Sequence, residues 1–196
     1  SIQLSSVDIW RNSQYIQLIE LWKWTDENNR QFDIHAPAVF DQKYLAARRG
    51  WEGGSFEWLD HVGILGPNVI AAHAQNLRPG EEKLIADAGA SIALVPDMEQ
   101  VLGLVNFNAR PFLDSNITCG LGLDGAVVAY GHNMWTAMRG YLTAQRMGDQ
   151  HRLMMSETDI KWTGEEVLYG SAEQALELAT IDGAKALMMD DKIGSI

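Results

Sequence analysis

Three short apolar segments of the chain each end on a residue that can bind a metal ion or move a proton. These residues are His35, His73 and Asp124. In parallel α/β proteins the ligand lies at the carboxyl ends of the strands, so chemistry is expected at these positions. Imidazole and carboxylate suit zinc, iron or manganese, and a metal held there would lower the pKa of a bound water towards neutrality. Taken singly, each residue is more often a structural His or a turn-forming Asp. Their shared placement on successive strands predicts a metal site.

Four near-continuous apolar runs, each followed by a helical pattern, would position these residues. The runs cover residues 31–37, 68–73, 90–96 and 117–124. Apolar spacing and end signals predict helices from residue 15 to about residue 28, over 79–88, from residue 134 past residue 142, and over 171–186. The last is opened by a capping box, in which the Ser171 oxygen accepts a backbone N–H and Gln174 reaches back to the cap. This alternation predicts parallel strands buried on both faces. Either a small doubly wound sheet or half of an eight-stranded barrel accommodates four such units.

Composition excludes several classes of protein. The 196 residues include 15 Lys and Arg against 26 Asp and Glu, a formal net charge of −11, which argues against a nucleic-acid surface. No run approaches the roughly 20 apolar residues that span a membrane. The single cysteine, Cys119, cannot form an internal disulfide, which favours a reducing compartment and a cytoplasmic location.

An ordered series of motifs resembles the amidohydrolase superfamily in its cytosine deaminase and chlorohydrolase branch. The resemblance covers about residues 31 to 196 and is carried by segments 70–75, 83–89, 95–96, 120–125, 179–187 and 191–196. The series is far more specific than any one motif. It implies a distorted (β/α)₈ barrel, of which this chain would hold the second half followed by C-terminal helices.

The resemblance also implies roles for individual residues. His35 matches the metal-binding His at the end of the family's fifth strand, and His73 matches the His at the end of the sixth. Asp124 matches the Asp at the end of the eighth strand, which in the family binds or borders the metal and shuttles a proton for the attacking water. We therefore predict His35, His73 and Asp124 as metal ligands, with His73 and Asp124 also catalytic.

The chain departs from the family pattern at two places. The paired His-X-His of the first strand is absent, since the five histidines include no pair at that spacing. We therefore expect a missing N-terminal half, either omitted here or supplied as a complementary chain, and the open sheet edges favour a homo-oligomer. Ala38 stands where deaminases of this branch place a Glu that protonates the ring nitrogen or leaving group. This departure leaves hydrolysis of another C–N or related bond more open than nucleobase deamination.

Four further residues are candidates for contact with substrate. Glu99, with Asp97, follows the third apolar run and could face substrate, although solvated loop acids are the commoner case. His132 could reach the pocket mouth or lie on the surface. Trp51, flanked by Gly50, Gly53 and Gly54, could form part of a substrate lid or simply pack.

The leading functional hypothesis is a metal-dependent hydrolase that acts on a C–N (non-peptide) or related bond of a small organic substrate. Metal-activated water would be the nucleophile, and Asp124 would take its proton and pass it to the leaving group. The alternative is a catalytically incomplete barrel fragment or binding domain that needs a complementary chain. A nucleotide-binding domain ranks lower, because Gly120-X-Gly122-X-X-Gly125 lies within and after a strand, with Asp124 where phosphate would be repelled.

Overall fold

A computed structural model describes residues 2–4, 15–36, 41–75, 77–103, 108–129, 131–155 and 169–195. The strands in these ranges are β1 (Ile2–Leu4), β2 (Phe32–His35), β3 (Val69–Ala72), β4 (Ser91–Leu94) and β5 (Cys119–Leu121). The helices are α1 (Tyr15–Glu27), α2 (Asp41–Arg49), α3 (Ser55–His61), α4 (Glu81–Ala88), α5 (Pro96–Val101), α6 (Arg110–Asp114), α7 (Ala126–Ala129), α8 (Met134–Met155), α9 (Ala172–Ala179) and α10 (Ile181–Ala186). In the part of the chain so described, no helix is long and apolar enough to cross a membrane.

The five strands form one parallel sheet in the order β1-β2-β3-β4-β5. A doubly wound sheet reverses its strand order at a switch point, whereas the wall of a barrel keeps the order of the chain. The observed order therefore favours the barrel over the doubly wound sheet. The strand β1 was not predicted, because a three-residue segment is too short to show a strand period.

The core lies between the sheet and the helices that cover it. In β2, Phe32 and Ile34 are fully buried whereas Asp33 and His35 are only partly buried, so the two faces of the strand alternate. The neighbouring strands contribute Val69, Ala71, Ile92, Leu94 and Cys119 to the same cluster, and the helices contribute Leu18, Leu45, Leu59, Ile85, Phe112, Tyr141 and Leu178. This packing holds the carboxyl ends of the strands at one edge.

The predicted C-terminal helix differs from the observed one in two respects. The Ser171 oxygen accepts the Gln174 N–H at 3.0 Å, as the capping box requires. The Gln174 side chain does not return to the cap, because its Oε1 accepts the hydroxyl of the buried Tyr141 at 2.7 Å. A buried phenol needs a partner, and α8 brings this one within reach. The helix also breaks at Thr180, which has φ −128° and ψ −96°, so that α9 and α10 are separate.

Glu81 caps the start of α3 from α4, and its loss is expected to destabilise the fold. Its buried carboxylate accepts the N–H groups of Phe56 at 2.6 Å, Glu57 at 3.2 Å and Arg78 at 2.7 Å. The Glu81→Ala variant leaves three donors without this acceptor, so its free energy of unfolding should fall by about 3 kcal/mol. Urea denaturation measures this difference. The free energy of unfolding of Glu81→Gln should fall less than that of Glu81→Ala, because the amide oxygen of Gln can still accept a hydrogen bond.

A comparison of the wild type with Glu81→Gln also tests how the stability that this cap provides depends on pH. Burial raises the pKa of Glu81 above its ordinary value, and the three N–H groups oppose that rise only in part. A carboxyl group with a raised pKa binds its proton more tightly in the folded state, so its contribution to stability falls as the pH rises through that pKa. The stability of the wild type relative to Glu81→Gln should therefore decrease with rising pH. An increase would contradict this assignment.

A close approach of two backbones joins β5 to α10. A Cβ at Gly120 would lie 2.8 Å from the Gly183 Cα, and backbone cannot move aside as a flexible side chain can. We expect Gly120→Ala to lower the free energy of unfolding by about 2 kcal/mol. Gly122→Ala is the matched control, because its Cβ would meet nothing closer than 3.7 Å. Equal stability of the two variants would show that α10 is not packed this tightly.

Candidate functional site

Two of the predicted residues meet at the carboxyl edge of the sheet. His35 is the last residue of β2, and His73 follows directly after β3, the neighbouring strand. Their ring centroids are 4.1 Å apart with an interplanar angle of 60°. The His73 N–H donates to the Ala93 carbonyl at 3.0 Å, which extends the pairing of β3 with β4 beyond the strand.

Asp124 reaches the same place from the loop after β5. Its Oδ2 lies 4.0 Å from Nε2 of His73, and its side chain accepts the N–H of Gly125. The Nε2–H of His132 donates to the Asp124 carbonyl at 2.8 Å, which ties the loop to the segment before α8. The three residues predicted as ligands are thus neighbours, with His132 beside them.

The backbone takes a sterically costly conformation at two of these residues. The φ angles are 75° at His73, 49° at Ala74 and 55° at Asp124. Residues other than Gly adopt this left-handed backbone region uncommonly, and those that do are often found at active and binding sites. A glycine at these turns would relieve the strain, yet a histidine and an aspartate occupy them. The strain therefore points to a role for both side chains.

The electrostatics keep the His35 ring neutral. Burial, followed by the neighbouring His73, lowers the pKa of His35 to about 4, although Asp124 acts in the opposite direction. A neutral imidazole has the lone pair that a metal ion requires. The buried Nδ1 of His35 makes no hydrogen bond to another residue in the described ranges.

Glu99 lies inside the protein against His73. The helix α5 begins at Pro96, immediately after β4, and its first turn directs Glu99 inward until the carboxylate is fully buried. The Glu99 Oε1 lies 3.4 Å from Nδ1 of His73. The alternative of a solvated loop acid is therefore wrong for Glu99. Proline at the first turn signals the start of a helix, so Pro96 is the sequence signal for α5.

The donor set fits a divalent ion in chemistry but is not complete. Two imidazoles and a carboxylate are ligands that zinc, iron and manganese accept. Among the described residues, however, no three His, Cys, Asp or Glu side chains are close enough together to hold a metal ion. The assignment of His35, His73 and Asp124 as metal ligands therefore stays a prediction.

A small cavity adjoins His73. It has a volume of about 100 Å³ and is lined by His73, Ala74, Gln75, Leu77, Asn108, Pro111 and Phe112. The buried Nε2 of Gln75 makes no hydrogen bond within the described ranges. The cavity could accept only a small group beside the His73 ring.

The structure places two other residues away from these contacts. The Trp51 indole N–H donates to the Gly54 carbonyl at 3.0 Å, and its ring stacks on His61 with centroids 5.0 Å apart. These contacts hold Trp51 at the start of α3, and no described contact joins it to His35 or Asp124. Burial raises the pKa of the Cys119 thiol to about 12, so this thiol inside β5 is not a reactive nucleophile.

A family model for the amidohydrolase family matches residues 12–196. The chain belongs to the amidohydrolase family. The resemblance of the motif series to this family is confirmed. A curated relative, 5-methylthioadenosine/S-adenosylhomocysteine deaminase of Pyrococcus abyssi, is 26% identical over 180 residues, which cover 90% of this chain and 39% of the relative.

Two solved structures share the fold of this chain. An adenosine deaminase from Xanthomonas campestris with bound zinc has a TM-score of 0.80 at 19% identity, covering 97% of this chain and 39% of that one. Atrazine chlorohydrolase from Arthrobacter aurescens, complexed with zinc, has a TM-score of 0.79 at 22% identity, covering 93% of this chain and 37% of that one. The predicted barrel-type α/β fold is confirmed over this part. The chain spans about two fifths of the length of these proteins.

Proposed function

We propose that this amidohydrolase is a metal-dependent hydrolase that cleaves a C–N (non-peptide) or related bond of a small organic substrate. The observation that carries the proposal is the meeting of His35, His73 and Asp124 at the carboxyl edge of the sheet. Two of them are held there by left-handed backbone. Family membership, with deaminase and chlorohydrolase relatives, supports the same class of reaction.

His35, His73 and Asp124 would contribute ligands to one divalent ion, with zinc favoured by the zinc-bound structural neighbours and iron or manganese also compatible. When bound, such an ion supplies Lewis-acid chemistry and lowers the pKa of a water molecule. The remaining ligands would come from a complementary first half of the barrel. Because burial lowers the pKa of His35, its imidazole is uncharged at neutral pH, which is the form that binds a metal ion.

Asp124 is the residue we assign to proton transfer. It is exposed at the edge of the sheet, so a water molecule and a substrate can both reach its carboxylate. Its Oδ2 would accept the proton of the attacking water and later donate it to the leaving group. The hydrogen bond from His132 to the Asp124 carbonyl restricts the loop, so that the carboxylate stays on the side of His73.

The relatives suggest heteroaromatic substrates in which an exocyclic group is displaced. Their printed names include a 5-methylthioadenosine/S-adenosylhomocysteine deaminase, a probable guanine deaminase and an atrazine chlorohydrolase. Ala38, which lies outside the described residues, stands where deaminases of this branch place a Glu. Without that second acid, a leaving group that needs no proton, or only the proton that Asp124 returns, is favoured over one that also requires protonation of the ring nitrogen. We therefore propose displacement of chloride or of an activated amine ahead of nucleobase deamination.

A substrate panel tests this function. The protein, together with the polypeptide that completes the barrel, is incubated with 5-methylthioadenosine, guanine and atrazine, and the release of ammonia and chloride is measured before and after treatment with a chelator. We expect hydrolysis of at least one compound, loss of that hydrolysis on chelation, and recovery on addition of zinc. Turnover that survives complete metal removal would contradict the proposal. No turnover and no metal uptake would instead support the incomplete fragment or binding domain.

A further inference from the structure

Glu99 and His73 form a buried pair whose facing polar atoms make no hydrogen bond in the part of the chain that the structure describes. Their side chains are 0% and 3% exposed, and the Glu99 Oε1 lies 3.4 Å from Nδ1 of His73. Within the described ranges neither Glu99 oxygen nor the His73 Nδ1 makes a hydrogen bond. A buried polar atom without a partner costs stability, and two such groups facing each other can satisfy one another. A shift of a few tenths of an ångström would bring them within hydrogen-bond distance.

We infer that Glu99 is a positioning residue, which accepts the Nδ1–H of His73 and so fixes that ring with its unprotonated Nε2 towards Asp124. This inference rests on the proposed function, in which Nε2 of His73 faces the metal ion and the reacting groups. Histidine ligands generally donate their second ring N–H to a carboxylate or carbonyl, which sets the tautomer and raises the basicity of the free nitrogen.

The surroundings of His73 make such an anchor necessary. The residue sits in left-handed backbone and is followed by Ala74, which is also left-handed, so no regular element fixes its side chain. The His35 ring contacts it edge-on, and Asp124 lies at Nε2. Of the groups that contact the ring, Glu99 is the one placed to bind Nδ1.

A purely structural role does not account for Glu99. No Lys or Arg in the described part of the chain forms an ion pair with it, although it is fully buried. A carboxylate buried without a cation is usually less favourable than an apolar residue of similar size. Residues that lower stability are retained where they serve a site, as we infer here.

The tautomer of His73 tests the inference directly. The ring nitrogens of ¹⁵N-histidine-labelled, chelator-treated protein are observed by NMR at about pH 8, above the ordinary imidazole pKa. His73→Asn assigns the signal, because Asn tolerates left-handed backbone. We expect the Nδ1–H tautomer in the wild type and in Glu99→Gln, whose amide oxygen still accepts, and a mixture of tautomers in Glu99→Leu. The Nε2–H tautomer in the wild type would overturn the inference without need of any variant.

Metal affinity and stability provide the second readout. Glu99→Leu should bind zinc about 10- to 100-fold more weakly in a chelator competition, and its unfolding midpoint in urea should equal or exceed that of the wild type. Asp87→Asn, which removes an exposed carboxylate on α4, is the control and should change neither. Unchanged zinc affinity in a folded Glu99→Leu variant would overturn the inference.

The two readouts separate this inference from the proposed function. A wild type that binds zinc and hydrolyses substrate while His73 holds the Nε2–H tautomer would refute the positioning role alone. A wild type that neither binds zinc nor hydrolyses substrate would refute the proposed function and the role of Glu99 within it, even where the Nδ1–H tautomer is found.

Discussion

The Asp124→Asn variant is expected to lose about three orders of magnitude in kcat while it remains folded. Asn has the shape of Asp but cannot take the proton of the attacking water, and general acid–base groups contribute typically 10²- to 10⁴-fold. Asn also tolerates left-handed backbone, so the φ of 55° at this position adds no strain in the variant. Steady-state kinetics on the best substrate of the panel measure the loss.

Two controls make this prediction specific. The free energy of unfolding of Asp124→Asn should stay within about 0.5 kcal/mol of the wild type, as for most surface substitutions. Asp87→Asn removes an exposed carboxylate that pairs with Lys83 on α4, and it should leave kcat unchanged. A kcat for Asp124→Asn within tenfold of the wild type would show that Asp124 is not the proton-transfer residue.

Loss of His35 should release the metal ion and with it the activity. His35 ends β2 in ordinary strand backbone, so Ala can replace it without a change of conformation. We expect the metal dissociation constant to rise at least about 100-fold, because each ligand of a four-ligand site supplies a share of roughly 3 kcal/mol of the binding free energy. Turnover at limiting metal should fall by a similar factor. Chelator competition and kinetics at several zinc concentrations measure the two effects.

A second histidine provides the comparison for this variant. His61, the last residue of α3, stacks on Trp51 outside the contacts of the proposed site, so His61→Ala should retain both metal and turnover. If His35→Ala bound zinc as tightly as His61→Ala, His35 would not be a ligand. Partial recovery of turnover in His35→Ala at high zinc would agree with a weakened site that still assembles.

The sequence predicted the ends of β2 and β3 to within one residue, because two strong rules apply to them, whereas β5 ends at Leu121, three residues before the predicted end at Asp124. Apolar runs closed by a polar residue or Pro mark buried strands, and parallel strands place their carboxyl ends at one edge. Together these rules predict that His35, His73 and Asp124 lie in one region, and in the structure the three residues are neighbours. The same rules miss β1, which is only three residues long.

What the sequence could not predict depends on contacts between distant segments. Left-handed backbone is most often signalled by Gly, and although Asp and His tolerate it, neither residue type at positions 73 and 124 predicts it by itself. The burial of Glu99 depends on how α5 packs after β4, and the partner of Gln174 depends on α8, which brings Tyr141 to it. Local patterns carry no information about such pairings.

Elemental analysis of the purified protein, combined with the intact masses of the polypeptides present, is the most direct test of the central claim. That claim is that this chain contributes to a metal-dependent hydrolytic site. The account predicts about one zinc, iron or manganese ion per chain, accompanied by the polypeptide that completes the barrel. It also predicts that the ion is lost from His35→Ala and retained in His61→Ala. Purified wild-type protein that holds no metal, and takes up none after incubation with zinc, would contradict the account.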